Sequence, residues 1–290
     1  FADGAREWCR DPRAPSVDAP FGPKSVLVLE RYRAPAWLTQ WAKHGTVTPL
    51  ELDAPSLGAR VTGQLWASPG LAPTRPAPLL VAHDGPEYAR FSSLVQYLEV
   101  AVATKRAPPM RAALLAPRAR NDDYSASPAY ADALARELLP ALAPRAPHTT
   151  RFGLGASLGA RLADLDVQVR GEGGGAVLHA QRRHPGLFDG LALQSGSFFQ
   201  HELDVHERGF PFFARIDAFV RDVAATRTAA VPVRLSCGTG EENLANNRAM
   251  TELLAAQGWP VELTTARDGH TWTCWRDTLE ASLGRLLETA

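Results

Sequence analysis

TRFGLGASLG, residues 150–159, is the stretch on which the reading of this chain turns. Its first half, TRFGL, carries the branched and aromatic residues of a strand, and its second half reduces to small residues around one serine. Gly155-Ala156-Ser157-Leu158-Gly159 fits the pattern G-x-S-x-G directly after that strand. The pattern has a mechanical reason: a serine on a sharp strand-to-helix turn needs flanking residues without side chains, or the turn cannot pack against a sheet. Ser157 would then face the positive end of a helix, with the Leu158 N–H aimed at a developing oxyanion. The same residues also read G-x-G-x-S-x-G, but this is one residue too long for a dinucleotide fingerprint, and no acidic residue ends a second strand about 20 residues on. The chain contains no GxxxxGK[ST] loop.

Outward from this stretch, short β-rich runs alternate with amphipathic ones from about residue 58 onward. The strand candidates are ARVTGQLW, PLLVAHD, RAALLAP, TRFGLGA, GLALQSG, PVRLSCG and PVELTTA. In RFSSLVQYLEVAV, apolar residues Phe91, Leu94, Val95, Leu98 and Val102 recur at helical spacing. Ser127-Pro128 reads as the N-cap and first turn of YADALARELLPAL. Gly258 is placed to stop NNRAMTELLAAQ, and a last helix from near Trp275 would bury Leu279, Leu283 and Leu286. Such alternation predicts an α/β fold, a mostly parallel sheet covered by helices. Residues 1–57 are rich in proline and weakly patterned; YRAPAWLTQWAKHG is the one helix expected there, and the segment reads as an N-terminal extension serving as lead-in strand, lid or partner surface.

Composition removes several functional classes. With 290 residues and 45% hydrophobic side chains the chain can bury a large core, and 31 Lys+Arg balance 31 Asp+Glu with no basic stripe, so no nucleic-acid partner is expected. The longest apolar runs fall far short of the ~20 residues that span a bilayer, so no membrane partner is expected either. Three cysteines, Cys9, Cys237 and Cys274, form no CxxC pattern and no disulfide framework. They favour a reducing, cytoplasmic compartment, although a Cys237–Cys274 bridge is conceivable, and a start without methionine reads as trimmed and leaves secretion open.

A serine hydroxyl becomes a nucleophile when a histidine takes its proton and an acid holds that histidine's tautomer. Downstream of Ser157, Glu241 and Glu242 follow a strand and a Gly-x-Gly turn, and His270 lies between the strand PVELTTA and the last helix. The order serine, acid, histidine and the loop positions past strand ends are those of an α/β-hydrolase site. His179 and His184, in AVLHAQRRHP, read as part of a surface helix. His201 and His206, in HELDVHE, are five apart rather than the four of HExxH, so no metal site is expected.

Taken together, LLVAHDGPEY (79–88), NDDYSASPAYADALARELLPAL (121–142), FGLGASLGA, AQRRHPGLFDGLALQSGSF (180–198), CGTGEENLANNRAM (237–250) and DGHTWTCWRD (268–277) resemble, in this order, the enterochelin esterase-like branch of the putative esterase family. The resemblance implies an α/β-hydrolase fold over residues 58–290 and a serine esterase without cofactor. It assigns Ser157 as nucleophile, Glu241 rather than Glu242 as acid, and His270 as base. The substrate it implies is a small carboxylic ester, the family including enzymes for the trilactone of catecholate siderophores and for feruloyl or acetyl esters. An acyltransferase and a catalytically inactive binding protein are the alternatives on the same fold. The chain departs from the family in two places. Where the family donates a second oxyanion N–H just after Asp-Gly, this chain has Pro86, which has none, so Gly85 or Glu87 must donate. Residues 161–175, RLADLDVQVRGEGGG, are an insertion after the serine: the helical spacing of the first part would prolong the elbow helix to about Arg170, and the glycines should then break it.

Overall fold

The computed structural model describes residues 11–19, 22–157 and 174–288. A two-stranded hairpin, β1 (Ser16–Val17) with β2 (Lys24–Ser25), precedes an eight-stranded sheet. The sheet's strands are β3 (Thr46–Ala54), β4 (Ala59–Ala67), β5 (Ala77–His83), β6 (Arg111–Leu115), β7 (His148–Ala156), β8 (Gly190–Gln194), β9 (Val233–Gly238) and β10 (Val261–Ala266). In space they run β10-β9-β8-β7-β5-β6-β4-β3, parallel except where β4 pairs with β3 and β6. All seven strands read from the sequence are present.

Burial on both faces explains the strand sequences. Every residue of β5, β6 and β8 is buried, which suits continuous apolar runs in a parallel sheet. Alternate residues serve two cores. Leu79 and Val81 point to one and Leu80 and Ala82 to the other. The first core is closed by α3 (Arg120–Tyr124), α4 (Pro128–Ala133) with its continuation into α5 (Leu139–Leu142), α6 (Gly174–Arg183), α7 (Phe213–Ala225) and α8 (Leu244–Ala256). The second is closed by α1 (Gly85–Phe91), α2 (Leu94–Ala103), α9 (Trp272–Asp277) and the turns after it, where Leu279, Leu283 and Leu286 are buried as expected. Each fully buried leucine of this kind contributes about 1.5–3 kcal/mol. Ser127 caps α4, its Oγ accepting from Tyr130 N, and Gly258 ends the α8 segment at φ +86°. Within the α4 segment, residues 134–138 widen to a π-turn just before Pro140, whose nitrogen cannot donate back to Arg136.

The structure departs from the sequence reading at four places and settles a fifth point, the cysteine pair whose bridging the sequence left open. The expected helix in YRAPAWLTQWAKHG is one 3-10 turn, Ala36–Thr39, with Trp37 buried and Trp41 exposed. The division at residues 57 and 58 falls inside the β3–β4 hairpin, because β3 belongs to the sheet. Its alternation, Leu50, Leu52 and Ala54 inward and Glu51 and Asp53 outward, is short and interrupted by Pro49, which an edge strand tolerates. RFSSLVQYLEVAV divides into two helices at Ser92-Ser93, where Ser93 adopts φ +53°. AVLHAQRRHP is no surface helix: α6 packs against β7 and β8, and Ala176, Val177, Leu178 and Ala180 are buried. Finally, Cys237 and Cys274 are two free, buried thiols. Among the described residues no helix is long and apolar enough to cross a membrane.

Candidate active site

The carboxyl ends of β5, β7, β8, β9 and β10 converge on one edge of the sheet, and Gly85, Ser157, Glu241, Glu242 and His270 each lie just past one of them. Ser157 follows β7 immediately. It sits buried at φ +41°, a conformation that costs an L-residue roughly 1–3 kcal/mol and persists only where neighbours hold it. Two hydrogen bonds do so: its N–H donates to Gln194 O at 2.8 Å, and its carbonyl accepts from Gly174 N at 3.2 Å. Gly174, the first residue of α6, is thus the spatial neighbour of Ser157, although residues 158–173 lie between them in the chain. Gly174 and Gly175, read from the sequence as helix breakers at the end of the 161–175 insertion, instead open α6. The reason is proximity: a Cβ on Gly174 would stand 3.3 Å from Gly155 O and from the Gly196 Cα, so the helix start comes this close to β7 without one. The oxyanion donor Leu158 and the possible extension of the elbow helix to Arg170 lie outside the described residues.

Glu241 and His270 are brought together by backbone stitching between their loops. Thr239 N–H donates to Ala266 O at 2.7 Å and Gly240 N–H to Asp268 O at 3.0 Å, so the turn after β9 is fastened to the turn after β10. The His270 Nδ1 then lies 2.8 Å from Glu241 Oε2. Because a carboxylate only accepts, Nδ1 carries the proton and Nε2 is left as the acceptor nitrogen. Neither His270 Nε2 nor Ser157 Oγ has a hydrogen-bond partner among the described residues, and both atoms are buried. The other carboxylate oxygen, Oε1, accepts from Gly238 N at 2.6 Å and from Ser195 Oγ at 2.7 Å. Burial alone would raise the Glu241 pKa, yet the bonds from His270, Ser195 and Gly238 outweigh it and hold it below the ordinary carboxylate value of 4.5. The neighbouring Glu242 points away, exposed, with its Oε2 3.3 Å from His206 Nε2. The structure therefore pairs Glu241, and not Glu242, with His270.

Gly85 opens α1 behind Asp84, which adopts φ +49° and is clamped by Arg120 (Nε to Oδ1 2.8 Å, Nη2 to Oδ2 3.0 Å). A Cβ on Gly85 would stand 2.2 Å from the Leu114 Cα, so the turn admits glycine alone. As the first residue of a helix, Gly85 has an N–H with no intrahelical partner; Tyr88 is the first to bond back, to Asp84 O at 2.9 Å.

Three supporting residues were not singled out from the sequence. Gln194 accepts from Tyr88 OH at 2.7 Å, donates to Thr278 Oγ1 at 2.8 Å and offers its carbonyl to Ser157, so it ties α1, α9 and the nucleophile turn to β8. Ser195 adopts φ +47°, and Trp275 sets its ring edge-on to His270 with centroids 5.2 Å apart. The signal for Ser195 was present in QSGSF, where a serine beside glycine ends a buried strand; that for Trp275 was hidden among residues that read as core.

No protein-family model matches the chain, and no curated protein does. Solved structures do match. The enterobactin esterase from Shigella flexneri, solved in the presence of 2,3-di-hydroxy-N-benzoyl-glycine, superposes with a TM-score of 0.74 at 19% identity, covering 97% of this chain and 70% of that one. A ferulic acid esterase gives a TM-score of 0.62 at 17% identity over 86% of this chain and 100% of its own. A fluorophosphonate-binding serine hydrolase from Staphylococcus aureus gives 0.60 at 14% identity over 85% and 99%. With the eight-stranded sheet and its helical layers, these likenesses identify the chain as an α/β-hydrolase fold of the form seen in the enterobactin esterases.

Proposed function

We propose that the protein is a serine hydrolase of carboxylic esters, with Ser157 as nucleophile, His270 as base and Glu241 as the acid that orients it. The observation that supports this most is the buried Glu241–His270 pair, which fixes the proton on Nδ1 and leaves Nε2 as a free acceptor. A strained serine at the end of β7, two strands from β9 on the same edge of the sheet, supplies the second half. In this reading Ser157 Oγ forms a bond to the ester carbonyl carbon while its proton passes to His270 Nε2. The carbonyl π electrons move to oxygen, and the oxyanion is received by the Gly85 N–H at the start of α1 and by Leu158 N–H. Collapse breaks the bond to the alkoxy group, which leaves with the proton from Nε2. Water then repeats the sequence on the acyl-enzyme, releasing the acid and restoring Ser157. Glu241 stays ionised throughout and stabilises the imidazolium. None of these steps calls for a cofactor. Among esters, a siderophore-type lactone is the first to assay, because the enterobactin esterase superposes over 97% of this chain.

The test is peptide mapping after treatment with a reactive fluorophosphonate, which needs no knowledge of the natural substrate. Modification confined to Ser157, lost in Ser157→Ala together with at least about 10³-fold of the activity on p-nitrophenyl acetate, is the expected result. A folded protein left unmodified, or a Ser157→Ala variant as active as its parent, refutes the reading.

A further inference from the structure

The donor-only character of an indole N–H determines the direction of the Ser195 proton beside Glu241. Trp275 Nε1 donates to Ser195 Oγ at 3.0 Å, so that hydroxyl is occupied as an acceptor and its single proton is turned to Glu241 Oε1 at 2.7 Å. Glu241 Oε2, in turn, faces the His270 Nδ1–H. We infer that Trp275 and Ser195 form a hydrogen-bond relay that positions Glu241, and through it His270, for proton transfer; this rests on the esterase reading above and assigns two positioning residues to it.

The backbone around Ser195 is built for this task. Ser195 N–H donates to Ser236 O at 2.6 Å, its carbonyl accepts from Asn243 Nδ2 at 3.3 Å, and the Asn247 side chain brackets Gly196 from both sides (N to Oδ1 3.0 Å, Nδ2 to O 2.8 Å). These bonds hold a non-glycine residue at φ +47°, which turns its side chain out of the β8 pleat and onto the carboxylate. Strand pairing alone would have directed it elsewhere. Trp275 acts twice, since the ring whose N–H orders Ser195 also stands edge-on against the His270 imidazole at an interplanar angle of 83°. Gly238 completes the nest: a Cβ there would stand 2.8 Å from Glu241 Oε1, so only glycine lets the carboxylate fold back under the relay.

The experiment uses Ser195→Ala, Trp275→Phe and the double variant of the full chain. Alanine has the same Cβ as serine and adds no clash at positive φ, and phenylalanine keeps an aromatic edge against His270 while removing the N–H. Each single variant is expected to lower kcat on p-nitrophenyl acetate about tenfold with KM unchanged within about twofold, the cost of one hydrogen bond to a charged group. The double variant should be no slower than the slower single one, because both cut the same relay. The low-field proton resonance of His270 Nδ1 should move in both. Multiplying losses in the double variant, an unchanged kcat in both singles, or a fixed Nδ1 resonance overturns the relay. If the parent protein resists the fluorophosphonate, the esterase reading fails, and the Nδ1 resonance still decides the relay by itself.

Discussion

The two sides of the site are built in opposite ways. Glu241 and His270 sit in two short loops after neighbouring strands, fastened by backbone hydrogen bonds and by a carboxylate with partners on both oxygens. Ser157 stands at the end of β7, and the Gly174 N–H at the start of α6 returns to the Ser157 carbonyl although residues 158–173 lie between them in the chain. The comparison teaches that a nucleophile turn depends on where a helix starts in space and not on where the chain enters it. An insertion can leave the strand before it and the helix after it in register, provided that the residues meeting at the junction are glycines. An acid–base pair has no such freedom, because its geometry lies in three or four short bonds.

The largest effect should come from the acid side. Glu241→Gln keeps the shape of the pair but offers His270 an amide, and should lower kcat by about 10³-fold or more, whereas Glu242→Gln, in an exposed carboxylate turned to His206, should stay within about twofold. Equal losses in the two would erase the distinction between them, and steady-state kinetics reads it directly.

Acid should then weaken the fold from both sides of the site. Burial lowers the His83 pKa to about 4, at the end of β5, and does the same to His179 in α6. Their folded values lie below the unfolded value of 6.5, so the stability that they permit is complete above 6.5 and falls as pH drops towards 4, by about 3 kcal/mol for the fully buried His83 and by less for the partly exposed His179. Glu241, held below 4.5, adds a loss that begins only under 4.5 as the pH falls through its folded value. Urea midpoints at pH 7, 5.5 and 4.2 should therefore decline in that order, and a constant midpoint refutes neutral burial.

Gly238→Ala should cost about 1–3 kcal/mol of stability and most of the activity, because the new Cβ would stand 2.4 Å from Asp268 O and 2.8 Å from Glu241 Oε1. Both effects at once are diagnostic, since the same atom disturbs the loop and the carboxylate. The smallest effect belongs to the nucleophile side. Gly175→Ala meets Ser197 O at an ordinary 3.6 Å and should stabilise α6 by about 0.5 kcal/mol, while Gly174→Ala, at 3.3 Å from two backbone atoms, should gain nothing. Thermal denaturation of the pair measures how much closeness the junction requires.

Much of this was legible beforehand for identifiable reasons. β5, β6 and β8 were visible because a strand buried on both faces must be apolar through its middle, with polar residues left to its ends. β3 escaped because its signal is three inward residues behind a proline. Ser157, Glu241 and His270 were visible because each follows a strand in a glycine-bearing loop. Ser195 and Trp275 were not, since a serine that ends a strand and a tryptophan in a helix have dozens of structural uses and become specific only through an atom brought 3.0 Å away from another part of the chain.

By itself the sequence determined the alternation of strands and helices, the order of the candidate site residues and the glycines that their turns demand, because these are local properties of hydrophobic period and backbone freedom. Only the tertiary structure decided that β3 completes the sheet, and that Gly174 and Gly175, expected to break a helix, open one instead. Those outcomes depend on ångström-scale contacts between separate segments, β3 with β4 and the Gly174 N–H with the Ser157 carbonyl, as do the pairing of His270 with Glu241 and of Trp275 with Ser195, and no local pattern encodes them.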